Sequence, residues 1–135
     1  MASLLTLDQV KVHFAVRRML FSTQTVRAVD GVSLSLDAGE TVSIVGESGS
    51  GKTMTCLSLM RLVPKPEARI VEGEIWFRGQ NLLDLTENEM RKYRGHKMAM
   101  IMQDPQTSLN PVYSIGDQVM EPIRLHLKER GQRAL

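Results

Sequence analysis

The run Gly46-Glu47-Ser48-Gly49-Ser50-Gly51-Lys52-Thr53 constrains this chain more than any other feature. It has the spacing G-x-x-x-x-G-K-[ST]. The apolar, β-branched run Thr41-Val42-Ser43-Ile44-Val45 precedes it, and a helical pattern over residues 52–63 follows. Glycine allows positive φ and lets amides approach an anion with no Cβ in the way. Successive amides and a helix start then make a concave anion site. In such a loop the lysine supplies a point charge to β and γ phosphates, and the Thr53 hydroxyl is placed to ligate Mg²⁺. Residues 46–54, Met54 included, are therefore expected to cradle nucleotide phosphates. The bland alternative is a flexible Gly/Ser loop that happens to precede a lysine. The strand-like and helix-like flanks argue against it.

Periodicity places the other elements. Val10, Val12 and Phe14 alternate with Lys11 and His13, as in a half-buried strand. Residues 15–25 are polar and basic and read as a hairpin loop. Residues 26–36 alternate again, and the turn Asp37-Ala38-Gly39-Glu40 leads to residues 41–45, which read as a buried central strand. The helix after the loop offers Met54, Leu57, Leu59, Met60 and Leu62 for burial, and Pro64 and Pro66 end it. Gly73-Glu74-Ile75-Trp76-Phe77 reads as a short strand. Thr86-Glu87-Asn88-Glu89 has the form of a capping box opening a helix to about Arg94. Residues 98–102 read as an apolar strand running into Gln103-Asp104-Pro105. Ser114-Ile115-Gly116-Asp117 caps a last helix with apolar positions Ile115, Val119, Met120, Ile123 and Leu127. Glu121-Pro122 reads as a bend or an early-turn proline. This order predicts an α/β core beside an antiparallel β subdomain.

Charge and composition narrow the function classes. The 135 residues carry a net charge of +2, which gives no argument for nucleic acid. The lone Cys56 excludes an internal disulfide and reads as a small core residue. No stretch approaches the roughly 18 apolar residues of a membrane helix, so membrane association is expected to go through a partner. The N-terminus lacks the basic and apolar regions of a secretory signal. His13, His96 and His126 lie far apart with no metal-ligand spacing and read as surface residues. The nine methionines read as core gap-fillers. The basic stretches Val16-Arg17-Arg18 and Lys128-Glu129-Arg130 read as solvated faces. No Asn-Lys-x-Asp guanine-reading motif is present, which argues against a GTPase, and no arginine-bearing lid suggests a small-molecule kinase.

The run AVDGVSLSLDAGETVSIVGESGSGKT resembles the ATP-binding subunits of ABC transporters. RGHKMAMIMQDPQTSLNPVYSIGDQVMEPIRLH resembles the subgroup that powers import of oligopeptides, dipeptides, glutathione or nickel. Gln103-Asp104-Pro105 with Ser108-Leu109-Asn110-Pro111 narrows it that far. The resemblance implies a P-loop NTPase (RecA-like) core with an antiparallel β subdomain, truncated at the start of the helical subdomain. It implies β-subdomain strands in 1–40 and 70–80, a strand-loop-helix in 41–63, a core strand and Q-loop in 98–105, and the start of the helical subdomain in 106–135. It implies ATP and Mg²⁺ as ligands, Lys52 and Gln103 in catalysis, and Thr53 and Gln103 toward the metal. Phe14 is the best match to an aromatic that stacks on adenine, with Phe21 the runner-up. The implied partners are transmembrane permease subunits, a second ATP-binding subunit and, indirectly, a substrate-binding protein. The implied place is the cytoplasmic face of the inner membrane, held peripherally.

The family pattern also needs an LSGGQ-type signature, an apolar strand ending in Asp-Glu and a switch histidine. None occurs here. The chain is therefore expected to be the N-terminal part of a longer subunit, binding ATP weakly or not at all alone and hydrolysing it negligibly. A non-catalytic nucleotide-binding remnant and another soluble P-loop NTPase stand as alternatives. The transported solute is not legible, because in this family other subunits choose it.

Overall fold

The computed structural model describes residues 3–19, 22–103 and 109–126. The chain divides into two compact units, 1–85 and 86–135.

In the first unit, β1 (Leu5–Met19) pairs antiparallel with β2 (Ser22–Leu36) on one side and with β3 (Ala68–Phe77) on the other. The short β4 (Gln80–Asn81) completes a sheet of order β2-β1-β3-β4. The alternation of apolar residues builds its inner face: Leu5, Leu7, Val10, Val12, Val29, Ile75 and Phe77 are buried. A strict alternation would send Leu7 and Val10 to opposite faces. The register slips between them, and Gln9 takes a left-handed φ of 47° there, so both point inward. Ser33 Oγ accepts the freed Gln9 amide at 2.9 Å. Gly73 lies against the same bulge with φ 98°, where a Cβ would sit 2.6 Å from both Gln9 O and Val10 Cα. The strands run well into residues 15–25, so the expected hairpin loop is shorter than its polar composition suggested.

The helix α1 (Lys52–Leu59) lies against β1 and β2. It ends four residues before Val63. Arg61 adopts φ 52°, Leu62 N–H donates to Leu57 O, and Arg61 N–H donates to Ser58 O. That reversal is a Schellman cap made by a non-glycine residue. The Arg61 guanidinium holds it by donating to Leu82 O at 3.0 Å and Leu85 O at 2.6 Å. Thr55 and Ser58 are the buried helical residues, while Leu57 and Leu59 are half-covered and Leu62 is exposed.

Two expected strands do not form. Residues 41–47 lie in no ladder, and Val45 is 92% exposed. Residues 99–103 lie in no ladder either; Met98 makes only an isolated bridge with Arg94, and Ile101 is 92% exposed. A central parallel strand exists only when neighbours supply hydrogen bonds on both edges. No such neighbours occur among the described residues, so β-branched composition alone leaves these runs open.

In the second unit, α2 (Glu87–Arg91) starts with the expected capping box: Glu89 N–H donates to Thr86 Oγ1, and Thr86 N–H donates to the Glu89 carboxylate. The Thr86 hydroxyl and amide hold the Glu89 carboxyl below its ordinary range. A depressed carboxyl stabilises the fold above its unfolded-state value and ceases to do so as pH falls through the folded one. The start of α2 is therefore acid-sensitive. The last helix, α3 (Ile115–His126), begins at Ser114, whose Oγ accepts the Asp117 amide at 3.0 Å. Pro122 sits inside α3 rather than at a bend. Met120 is buried, but Ile115 and Val119, expected on a packed face, are 66% and 56% exposed. Leu127 lies outside the described residues.

Gly73→Ala should destabilise the first unit by roughly 2 kcal/mol or more, because strain at positive φ adds to a backbone clash. Gly79→Ala, with φ 78° and nothing within 4 Å of its Cβ, should cost only about 1 kcal/mol. Urea unfolding of both variants checks the ordering.

Candidate phosphate-binding loop

The loop at 46–51 closes through its own backbone and one side chain. Ser50 N–H donates to Glu47 O at 3.2 Å. Gly49 and Gly51 take φ of 80° and 89°, while Gly46 does not need positive φ. Gly46 instead lies against Ser50: a Cβ there would sit 2.6 Å from Ser50 Oγ, which would have to turn away. Gly51 is the N-cap of α1 and provides no side-chain cap. The amides of Lys52, Thr53 and Met54 therefore have no backbone acceptor and point out of the helix start. Uncapped amides at a helix N-terminus favour an anion.

Lys52 turns back over the loop. Its ammonium donates to Gly46 O at 2.7 Å, to Glu47 O at 2.6 Å and to Ser50 Oγ at 3.2 Å. All three ammonium protons are thus held by neutral acceptors, and no carboxylate pairs with it among the described residues. A phosphate oxygen offers this ammonium a stronger, charge-assisted bond. The Thr53 hydroxyl has no hydrogen-bond partner among the described residues and is exposed. Ala28, Gly49, Ser50, Gly51, Lys52, Thr53 and Met54 line one small concavity. Glu47 and Ser48 form the exposed outer turn of the same loop.

Ala28 was not among the residues expected here. It is the extra residue of a bulge in β2: Val29 pairs with Val12 and Arg27 with His13, leaving Ala28 between them. Its carbonyl lies so close to Gly51 that any Cβ at position 51 would collide with it. The bulge was not legible because register depends on cross-strand pairing.

The other expected site residues are placed as follows. Phe14 is half-buried on β1 between Val26 and Ala68, two residues along β2 from Ala28. Phe21 lies outside the described residues, as do Asp104, Pro105 and Ser108. Gln103 is exposed in the second unit, at the end of an open segment rather than of a strand. The Leu109-Asn110-Pro111 stretch is pinned by Gln118 of α3, whose amide accepts from Asn110 N–H at 2.8 Å and donates to Asn110 O at 2.9 Å. His96 is exposed and His126 half-buried, and their rings stack at 5.4 Å between centroids. His13 is half-buried, with its Nε2 covered and unpartnered among the described residues.

The family described as ABC transporter matches residues 29–135. The chain is 42% identical to the oligopeptide transport ATP-binding protein AppD of Bacillus subtilis, covering 100% of this chain and 41% of that protein. It is 44% identical to the dipeptide transport ATP-binding protein DppD of Escherichia coli, covering 98% of this chain and 40% of that one. The glutathione import ATP-binding protein GsiA of Salmonella choleraesuis is 49% identical over 83% of this chain and 19% of its own length. The chain thus spans well under half the length of these relatives. A solved ATP-binding cassette, a dimer in a post-hydrolysis state bound to ADP and Pi, superposes with a TM-score of 0.70 at 26% identity. The match covers 94% of this chain and 49% of the cassette.

Gly51→Ala should abolish the loop's anion affinity, since the Ala28 carbonyl leaves no space. Gly49→Ala, with nothing within 4 Å, should weaken it by about tenfold or less, through the left-handed φ alone. Titration of each variant with a fluorescent ATP analogue checks the contrast.

Proposed function

The chain belongs to the ABC transporter family, and from that premise we propose that it supplies the phosphate-binding part of an ATPase subunit that drives import of peptides or similar small solutes. The observation that carries this reading is the uncapped start of α1 beneath the ring of Lys52 contacts. That arrangement is built for a multiply charged anion and has nothing to recommend it as a mere turn.

On this reading Gly46 to Met54 hold the phosphates of ATP. Lys52 exchanges its two carbonyl acceptors for phosphate oxygens, so its contribution is larger to the bound state than to the free loop. Phe14 offers an apolar ring to adenine from β1. The unpaired Thr53 hydroxyl is a hard oxygen donor beside the amide cradle and suits Mg²⁺. Gln103 would complete the ligand set, and the metal would neutralise charge on the phosphates. The runs 41–45 and 98–102, which lie in no ladder here, keep the apolar composition of core strands. Residues 1–40 and 70–80 belong to the β subdomain, and 106–135 to the start of the helical subdomain. The partners are permease subunits and a second ATP-binding subunit at the cytoplasmic face of the membrane. Among the described residues no helix is long and apolar enough to cross a membrane, so attachment goes through those partners.

Hydrolysis needs a positioned water and a group to activate it. Neither Lys52 nor Thr53 is a base. The 135-residue chain should therefore bind a fluorescent ATP analogue with Mg²⁺ in a saturable way, with affinity lowered about tenfold or more in Lys52→Ala. It should release phosphate at the background rate. Turnover that survives Lys52→Ala would contradict the assignment.

A further inference from the structure

The second unit contains a pocket lined by Asn88, Arg91, Lys92, Arg94, Leu125 and His126. Four of these side chains are basic and none is acidic. The nearby counter-charges are already engaged. Glu87 forms an ion pair with Arg94, and the Glu89 carboxylate accepts from Thr86. The Arg91 and Lys92 side chains are exposed and make no hydrogen bond or ion pair among the described residues. The charge of Lys92 is felt by Glu89, but that carboxylate is turned to Thr86.

The His126 ring stacks on His96 with the planes 15° apart, and its Nε2 lies where a Cβ on Gly95 would approach to 3.3 Å. The imidazole forms one wall of the pocket. Cations at the C-terminal ends of α2 and α3 could be explained by the helix dipoles alone. That effect is worth only about 0.3–1 kcal/mol and acts on each end separately. It does not account for basic side chains from two elements converging on one concavity whose described lining has no acidic residue.

We propose that this pocket binds a phosphate-bearing anion. Arg91 and Lys92 supply the charge, Asn88 and His126 directed hydrogen bonds, and Leu125 an apolar edge. A carboxylate would be saturated by one guanidinium fork, whereas a tetrahedral phosphate uses several donors converging from different sides. The phosphate can belong to a small molecule or to a lipid headgroup.

The test uses the 135-residue chain carrying Lys52→Ala, so that the loop at 46–53 does not contribute. Its three histidines give separate ring-proton NMR signals, and His13, in the other unit, is the internal reference. Inorganic phosphate should shift the His96 and His126 signals saturably and leave His13 in place. Adding Arg91→Ala with Lys92→Ala should weaken this by about tenfold or more, as expected for losing two charge-assisted contacts. Asn88→Asp, which puts a carboxylate into the pocket with almost no change in shape, should weaken it similarly. It keeps the test sound if the double variant fails to fold. Co-sedimentation with phosphatidylglycerol/phosphatidylcholine vesicles separates the sources. Binding to vesicles without a response to inorganic phosphate assigns a lipid headgroup; the reverse assigns a soluble phosphate. The proposal is overturned if neither probe engages the chain, or if a folded Arg91/Lys92 or Asn88 variant binds as tightly as its parent.

Discussion

The approach of the Ala28 carbonyl to Gly51 ties the phosphate loop to the sheet. A bulge in β2 pushes Ala28 out of register, and α1 can begin there only because residue 51 has no Cβ and accepts φ 89°. The helix start then stays uncapped, Lys52 folds back over the loop, and its ammonium rests on carbonyls that a phosphate can displace. The loop is therefore seated on the antiparallel sheet even where the expected parallel strand before it forms no ladder. The anion-binding character proposed for it rests on glycine stereochemistry and helix-end electrostatics, and both are local.

Much of this locality is why the site could be read from sequence. The G-x-x-x-x-G-K-T spacing fixes where α1 starts, and the helix begins at Lys52 as expected. The capping box at Thr86 and Glu89 and the cap at Ser114 are likewise short-range patterns that appear where their residues stand. What failed was long-range. Residues 41–45 and 98–102 have strand composition, but a strand is a property of its neighbours. Nothing in Val42, Ile44 or Ile101 states whether a partner is present. The Ala28 bulge and the stacking of His96 on His126 depend on pairing and packing between residues distant in sequence, which periodicity does not encode. The early end of α1 was misread because a helix was expected to run to its prolines. Arg61 stops it sooner by adopting a left-handed conformation that its own side chain secures.

The same comparison explains the uneven packing of the first unit. The inner face of the sheet is closed by Leu7, Val10, Val12, Ile75 and Leu82, all essentially without exposure. The far side of α1 leaves Leu57 and Leu59 half-covered, and Val45 lies open. An apolar surface of this kind costs stability until it is covered.

The central claim is that the amides opening α1 are the anion site. Amide-resolved NMR of the nitrogen-labelled chain, titrated with Mg²⁺-ADP, tests it most directly. The account predicts the largest shifts at Gly49, Gly51, Lys52, Thr53 and Met54, with the Lys52 ammonium signal moving as it leaves the Gly46 and Glu47 carbonyls. Saturable binding that leaves residues 46–54 unshifted would contradict it.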